Sequence, residues 1–332
     1  MDSHQWNPAE LLQLSGGYWS ACALHAGVKL DLFSRSGTAA ELAQAVGCDE
    51  RGLEMLLNAL TALGLMEKQG GSYAATRFAA DYLSRTSPRY LGYIIMHHHH
   101  LMAGWSHLDV SVRSGAPYRD RISHASDAAE RESFEMGMFN LAMLLAPHIV
   151  SQVNLQGRRR LLDLGGGPGT YAIHFCQANP ELSAVVYDLP TTRPFAEKTI
   201  SSFGLNERIS FHEGDFEHDA VPGGFDVAWL SHILHGEGPD GCALILQRAV
   251  AALQPGGMLL VQEFILDDSM AGPLFPALFS LNMLVCTPHG QAYSQSQLET
   301  MMTAAGISSI RRLELNLPNG AGVLAGIAGQ QQ

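Results

Sequence analysis

The chain has 332 residues, 46% of them hydrophobic and 16% charged, a globular composition with length enough for two domains. A net charge of −12 opposes a phosphate backbone, so the protein as a whole is a poor binder of nucleic acid. The five cysteines form no C-x-x-C pair, and no run reaches the ~18 apolar residues of a membrane span. Scattered cysteines predict reduced thiols in a cytosol. Met1-Asp2-Ser3-His4 carries neither a basic region nor an apolar run, so no secretory signal is expected and the location expected is cytoplasmic.

Residues 8–32 read as a helix, with Leu11, Leu12, Ala21, Leu24 and Val28 on related faces. Thr38-Ala39-Ala40-Glu41 reads as an N-cap with its capping-box acid, opening a short helix to Val46. A second helix is predicted from Arg51 to Leu63, stopped by Gly64. Leu65–Lys68, Gly70-Gly71 and Ser72–Ala75 then read as a hairpin. Helix, turn, helix and hairpin make a winged helix, a fold that often binds DNA. Residues 1–90 carry seven Lys/Arg against nine Asp/Glu, and the second helix has one basic residue, Arg51, beside Leu53, Met55, Leu56, Leu57 and Leu60. A helix reading DNA needs basic and amide side chains; an apolar one needs a protein surface. Residues 1–90 are therefore read as a dimerisation domain of a homodimer.

Residues 91–150 predict connecting helices, with a loop near Ser114-Gly115-Ala116-Pro117. From Arg160 on, strand and helix alternate. Strands are predicted at 160–164, 183–187, 208–212, 225–230 and 257–265, with two more near 308–315 and 321–328. The fold class is α/β: a Rossmann-like, doubly wound sheet over 151–332, preceded by the winged helix, with a cofactor at the C-terminal strand ends.

The chemistry centres on Leu161-Leu162-Asp163-Leu164-Gly165-Gly166-Gly167-Pro168-Gly169-Thr170. A strand breaks into a glycine turn and a helix start, which lets a ligand approach the backbone. A dinucleotide site wants G-x-G-x-x-G, whereas Gly165, Gly167 and Gly169 are spaced G-x-G-x-G. Asp188 ends the next strand, where a carboxylate can accept both ribose hydroxyls. Gly214-Asp215-Phe216 follows the third strand; there an acid can accept from an adenine amino group and a ring can pack on the base. The ordered set fits S-adenosylmethionine better than NAD. Alternatively, Asp188 caps a helix and Asp215 is an ordinary turn acid.

After the fourth strand comes Trp229-Leu230-Ser231-His232-Ile233-Leu234-His235. A histidine here can take a proton from an acceptor, and His232 is read as a surface residue. Glu263 interrupts an apolar strand, which is costly unless the charge is paired, and a histidine ring is the partner expected. A carboxylate at a strand end facing water is the other reading.

On these residues the chain resembles the small-molecule O-methyltransferases of bacteria and plants, of the caffeate and polyketide type. Those enzymes depend on S-adenosylmethionine and pair a winged-helix dimerisation domain with a Rossmann-like catalytic domain. The resemblance covers nearly the full length. It rests on the D-L-G-G-G-P-G turn, D-L-P at 188–190, G-D-F at 214–216, L-H at 234–235, L-x-P-G-G at 253–257, the Glu263 strand and Phe134–Met138. It implies cofactor contacts at Gly165, Asp188, Asp215, Phe216 and Ser231, a general base at His235 and its partner at Glu263. The spacing of the turn adds Gly167. Gly236-Glu237-Gly238 departs from the acid and Trp that usually follow the histidine, and Ala292 stands where plant members carry a further Glu. Some relatives bind the cofactor yet run hydroxylations or pericyclic steps instead of methylation; these departures give weight to that alternative, which stands along with C- or N-methylation.

No metal is expected. His97–His100 and His107 lack an acid or cysteine at ligand spacing, and pocket lining or helix surface is the reading preferred. An aromatic hydroxyl on an apolar scaffold is the acceptor expected, among Met96, Met102, Trp105, Phe134, Met138, Phe279 and Met283. Neither nucleic acid nor membrane is an expected partner.

Overall fold

A computed structural model describes residues 5–119, 121 and 127–329; Met1–His4, which entered the reading on secretion, lie outside them. The chain forms two compact units, Met1–Leu101 and Met102–Gln332.

In the first unit, the helix expected over 8–32 is divided into α1 (Pro8–Gly16) and α2 (Tyr18–Lys29). The adjacent glycines Gly16 and Gly17 are the weakest helix formers in the stretch. Asn7 caps α1 with a reciprocal bond to Glu10. β1 (Gly37–Thr38) leads into α3 (Ala39–Val46), where Thr38 and Glu41 form the expected capping box. After α4 (Glu50–Ala62) come the hairpin strands β2 (Met66–Gln69) and β3 (Ser72–Ala75), then α5 (Arg77–Leu83). The sheet order is β1-β3-β2. Leu53, Leu57 and Leu60 of α4 pack with Val28, Leu32, Leu42 and Tyr73 in the core of this unit. By contrast, α1 buries no side chain, and Leu12 and Trp19 are 72% and 68% exposed. The region expected as a connector begins with α6 (Gly92–Trp105).

The second unit opens with α7 (Leu108–Ser114), ended by Gly115 in a left-handed cap, and the 25-residue α8 (Ala128–Gln152). α8 is long and apolar enough for a membrane span, but its Ala146, Ile149 and Val150 belong to the core beneath the sheet. The strands are β4 (Arg160–Leu164), β5 (Ser183–Asp188), β6 (Ile209–Glu213), β7 (Phe225–Ser231), β8 (Leu253–Leu266), β9 (Tyr293–Ser294), β10 (Ile307–Arg312) and β11 (Ala321–Ala328). Between them lie α9 (Thr170–Ala178), α10 (Arg193–Ser202), α11 (Pro239–Ala252), α12 (Leu274–Cys286) and α13 (Gln295–Ala304). The main sheet order is β10-β11-β8-β7-β4-β5-β6, with β9 beside β8. β4 to β8 run parallel, and β11 enters antiparallel.

Alternation along the strands builds two cores. Leu161, Val227, Trp229 and Leu260 face α8 and α9, while Leu162, Ala228, Leu230 and Leu259 face α11. The chain leaves β4 toward β5 and β6, then returns to β7 on the other side of β4. That reversal opens a crevice at the C-terminal ends of β4 and β7, the usual ligand position in such a sheet.

Candidate active site

The glycine turn sits at this crevice. Gly165, Gly167 and Gly169 have φ of 65°, 54° and 78°, so the three positions of the G-x-G-x-G spacing are the left-handed ones. A side chain on Gly165 would run into Ile233, with the Phe216 ring 3.4 Å away. A side chain on Gly166 would meet the Asp163 carboxyl at 2.6 Å. Asp163 is itself buried and accepts from the Ala172 N–H at 3.1 Å. Burial and the charge of Asp188 push its carboxyl up to about 7, against the Ala172 bond.

Asp188 ends β5 as expected. Its Oδ2 accepts from the Gly167 N–H and its Oδ1 from the Leu189 N–H, both at 2.7 Å. This ties the turn to the neighbouring strand end. Burial raises its pKa, opposed by those amide bonds and by the Thr192 hydroxyl. Glu135 of α8 is 4% exposed, with its Oε1 3.0 Å from the same hydroxyl oxygen. Burial, then the charge of Asp188, pushes it up to about 8. In the sequence Glu135 stands only within the Phe134–Met138 motif, where its signal is an acid between Phe134 and Met136.

The third strand end is arranged differently. Asp215 Oδ1 accepts from the Glu217 N–H at 2.8 Å, and Oδ2 lies 2.9 Å from His218 Nδ1. These are bonds of a turn acid, the alternative the sequence left open. Phe216 reaches back to the glycine turn. Ser231 Oγ donates to Gln262 Oε1 at 3.1 Å.

β7 ends at Ser231, and His232 reverses the chain with φ 57°, uncommon outside glycine. A single 3₁₀ turn, Leu234–Gly236, follows, anchored by fully buried Leu234. This places His235 Nδ1 2.8 Å from Glu263 Oε2, while the His235 N–H donates to Oε1 at 3.3 Å. Glu263 is 2% exposed, so the reading of a carboxylate facing water is excluded. Burial works to raise its pKa, but the charges and hydrogen bonds of His235 and His232 outweigh it and hold the carboxyl well below the usual range.

His232 corrects the surface assignment. Its Nδ1 lies 3.5 Å from the same Glu263 oxygen, and its ring packs 4.3 Å from Phe264. The left-handed turn swings it inward, which a helical spacing argument cannot foresee. His232, His235 and Glu263 place one ligand-type atom each within 4.8 Å of one another. Phe279 stands edge-on to His235 at 4.7 Å, with Phe264 and Phe275 beyond it. His235 thus faces an aromatic wall.

The loop after His235 is held by Arg121, which donates to Gly236 O at 2.6 Å and pairs with Glu237 and Glu217. No sequence signal pointed to Arg121. Trp105 Nε1 donates to Asn282 Oδ1 at 2.9 Å, joining α6 to α12. Met96, expected at the pocket, packs on the core of the first unit. His97 is buried there, and the His25 and His99 rings are 5.6 Å apart.

A sequence profile of an O-methyltransferase domain matches residues 105–308, and one of an O-methyltransferase dimerisation domain matches residues 12–85. A 3-hydroxy-5-methyl-1-naphthoate 3-O-methyltransferase of Streptomyces sahachiroi is 36% identical over 329 residues, 96% of this chain and 95% of that protein. An O-methyltransferase family protein from Burkholderia thailandensis has a similar structure, with a TM-score of 0.87 and 30% identity over 99% of this chain and 100% of that one. Human N-acetylserotonin methyltransferase, solved with S-adenosylmethionine, gives a TM-score of 0.85 at 26% identity, covering 99% of this chain and 100% of its own.

Proposed function

This chain belongs to the O-methyltransferase family and uses S-adenosylmethionine, and from that premise we propose that it methylates a hydroxyl on an aromatic small molecule, with His235 as general base. The observation that carries this is the 2.8 Å contact between His235 Nδ1 and Glu263, on the loop whose Ile233 packs against Gly165. Base and glycine turn therefore share one crevice.

The residues present fit the cofactor. A cradle that admits no side chain at Gly165, a carboxylate at the next strand end and a phenyl ring over the turn suit a charged nucleoside. Gly165, Gly167, Asp188, Asp215, Phe216 and Ser231 would hold it, and when bound it supplies the methyl group. Asp215 would have to share its carboxylate with the turn it already closes.

The chain's own residues do the rest. Glu263 accepts the Nδ1 proton of His235, which leaves Nε2 with a lone pair to take the hydroxyl proton. The imidazolium then formed is stabilised by the buried carboxylate. Trp105, Phe134, Met138, Phe279 and Met283 would orient the acceptor, and orientation is the main source of rate in such a transfer. The similarity to a naphthoate O-methyltransferase supports an aromatic acceptor.

We further propose a homodimer joined through the first 90 residues, working in the cytoplasm on a secondary metabolite. Purified protein incubated with S-adenosylmethionine and a panel of phenols and hydroxynaphthoates should yield a product heavier by one methyl group. Turnover of none of them, with methylation of an amine or carbon acceptor instead, would overturn the hydroxyl assignment.

A further inference from the structure

Thr192 presents one hydroxyl to two carboxyl groups. Its Oγ1 lies 3.0 Å from Glu135 Oε1 and 3.3 Å from Asp188 Oδ1. A hydroxyl has one hydrogen to give. With both carboxyls ionised, one of these contacts would set lone pair against lone pair.

The two acids are not equivalent. Asp188 takes an amide N–H on each oxygen, from Gly167 and Leu189, which suits the anion. Glu135 has Thr192 as its one hydrogen-bond partner among the described residues, and it is 4% exposed. A balanced arrangement follows: the Glu135 O–H donates to Thr192 Oγ1, and the Thr192 O–H donates to Asp188 Oδ1. The charged groups acting on Glu135 are Arg131, one turn earlier on α8, which favours its anion, and Asp188, which opposes it; Asp163 of β4 is a neighbouring acid that the charge of Asp188 pushes toward its neutral form.

We propose that Glu135 carries a proton in the cofactor-free protein and releases it to solvent when S-adenosylmethionine loads, making the site a proton-linked cation site. The inference rests on Gly167 and Asp188 holding the cofactor, as proposed above. S-adenosylmethionine carries an ammonium and a sulfonium against one carboxylate, and a cation brought beside a carboxyl favours its ionised form. S-adenosylhomocysteine lacks the sulfonium charge. The ionised Glu135 therefore favours the methyl donor over the spent product, and the proton it regains eases release. Its carboxyl, pushed up to about 8 by burial and by Asp188, titrates where this exchange can operate.

The test is calorimetric titration of each nucleoside at pH 7 in two buffers of different ionisation heat. Wild type should release most of a proton per S-adenosylmethionine at pH 7 and much less at pH 9, the direction that a carboxyl raised to about 8 gives. S-adenosylhomocysteine should release less. Glu135→Gln keeps a donor for Thr192, so it should bind with that release abolished. The ligand's own amine titrates equally in both proteins, so their difference isolates Glu135. Equal release from both proteins, or none from wild type, overturns the inference. Binding of neither nucleoside instead overturns the placement of the cofactor. Should the variant fail to fold, wild type alone decides: its affinity should rise nearly tenfold from pH 6 to pH 7, and a flat profile refutes the link.

Discussion

The imidazole of His235 and the carboxylate of Glu263 meet at 2.8 Å because β7 and β8 are parallel neighbours with Ser231 opposite Gln262. Glu263 is the next residue on β8, and the short turn after β7 brings His235 back to it. The pair is fixed by backbone register, so it does not depend on a mobile loop.

Replacing His235 with Ala should therefore leave S-adenosylmethionine affinity nearly intact and lower turnover of a phenolic acceptor by ~10²–10⁴. The loss should shrink at high pH, where a phenol with a pKa of about 10 ionises unaided. Steady-state rates from pH 6 to 10 check this. Full activity of the variant at neutral pH would remove His235 as the base.

The second ring on Glu263 has its own consequence. Asn tolerates the left-handed backbone at position 232 but cannot present an imidazole to the carboxylate. His232→Asn should melt near wild type and lose about fivefold in kcat, the worth of one close charge contact to the carboxylate, about 1 kcal/mol. His232→Val should instead melt lower, by about 1–2 kcal/mol of backbone strain. Equal kcat in His232→Asn and wild type would leave this ring a packing role only.

Much of this is legible in the sequence alone. The glycine spacing, the strand-end acids and the buried-strand Glu263 all announce themselves locally, through backbone freedom or a charge where none is cheap. The capping box at Thr38 and the hairpin at Gly70-Gly71 are local in the same sense. What stayed hidden depends on direction. His232 turns inward through one left-handed residue, and Asp215 spends its carboxylate on its own turn. Arg121 and Glu135 reach the site from distant segments, and no periodicity encodes that.

Asp188→Ala should weaken S-adenosylmethionine binding by about 2–4 kcal/mol through the loss of charge-assisted bonds. Gly165→Ala should be at least as damaging, because its side chain would collide with Ile233 and its φ is 65°. Calorimetry separates these variants from His235→Ala, which should bind normally. Unchanged affinity in both would move the cofactor away from the glycine turn.

The first unit should dimerise through the face carrying Leu12 and Trp19, since α1 buries no side chain of its own. Light scattering at micromolar concentration should give a dimer, and Leu12→Glu combined with Trp19→Glu should give monomers that still fold. A wild-type monomer would contradict this.

Asp163 makes stability depend on pH in a direction opposite to most acids. Its carboxyl is fully enclosed beneath the glycine turn and is raised from 3.8 to about 7, by burial first and then by the charge of Asp188. The folded state therefore holds a proton that the unfolded chain gives up at lower pH. The stabilisation is complete below pH ~4 and is lost as pH rises through about 7. Cofactor-free protein should melt progressively lower between pH 5 and pH 8, with Glu135 adding to the same trend. Asn at position 163 mimics the neutral acid and still offers an oxygen to the Ala172 N–H. Asp163→Asn should therefore melt with a flatter pH profile and gain on wild type as pH rises. A variant that follows wild type at a constant offset across this range would show that Asp163 keeps its charge inside the fold.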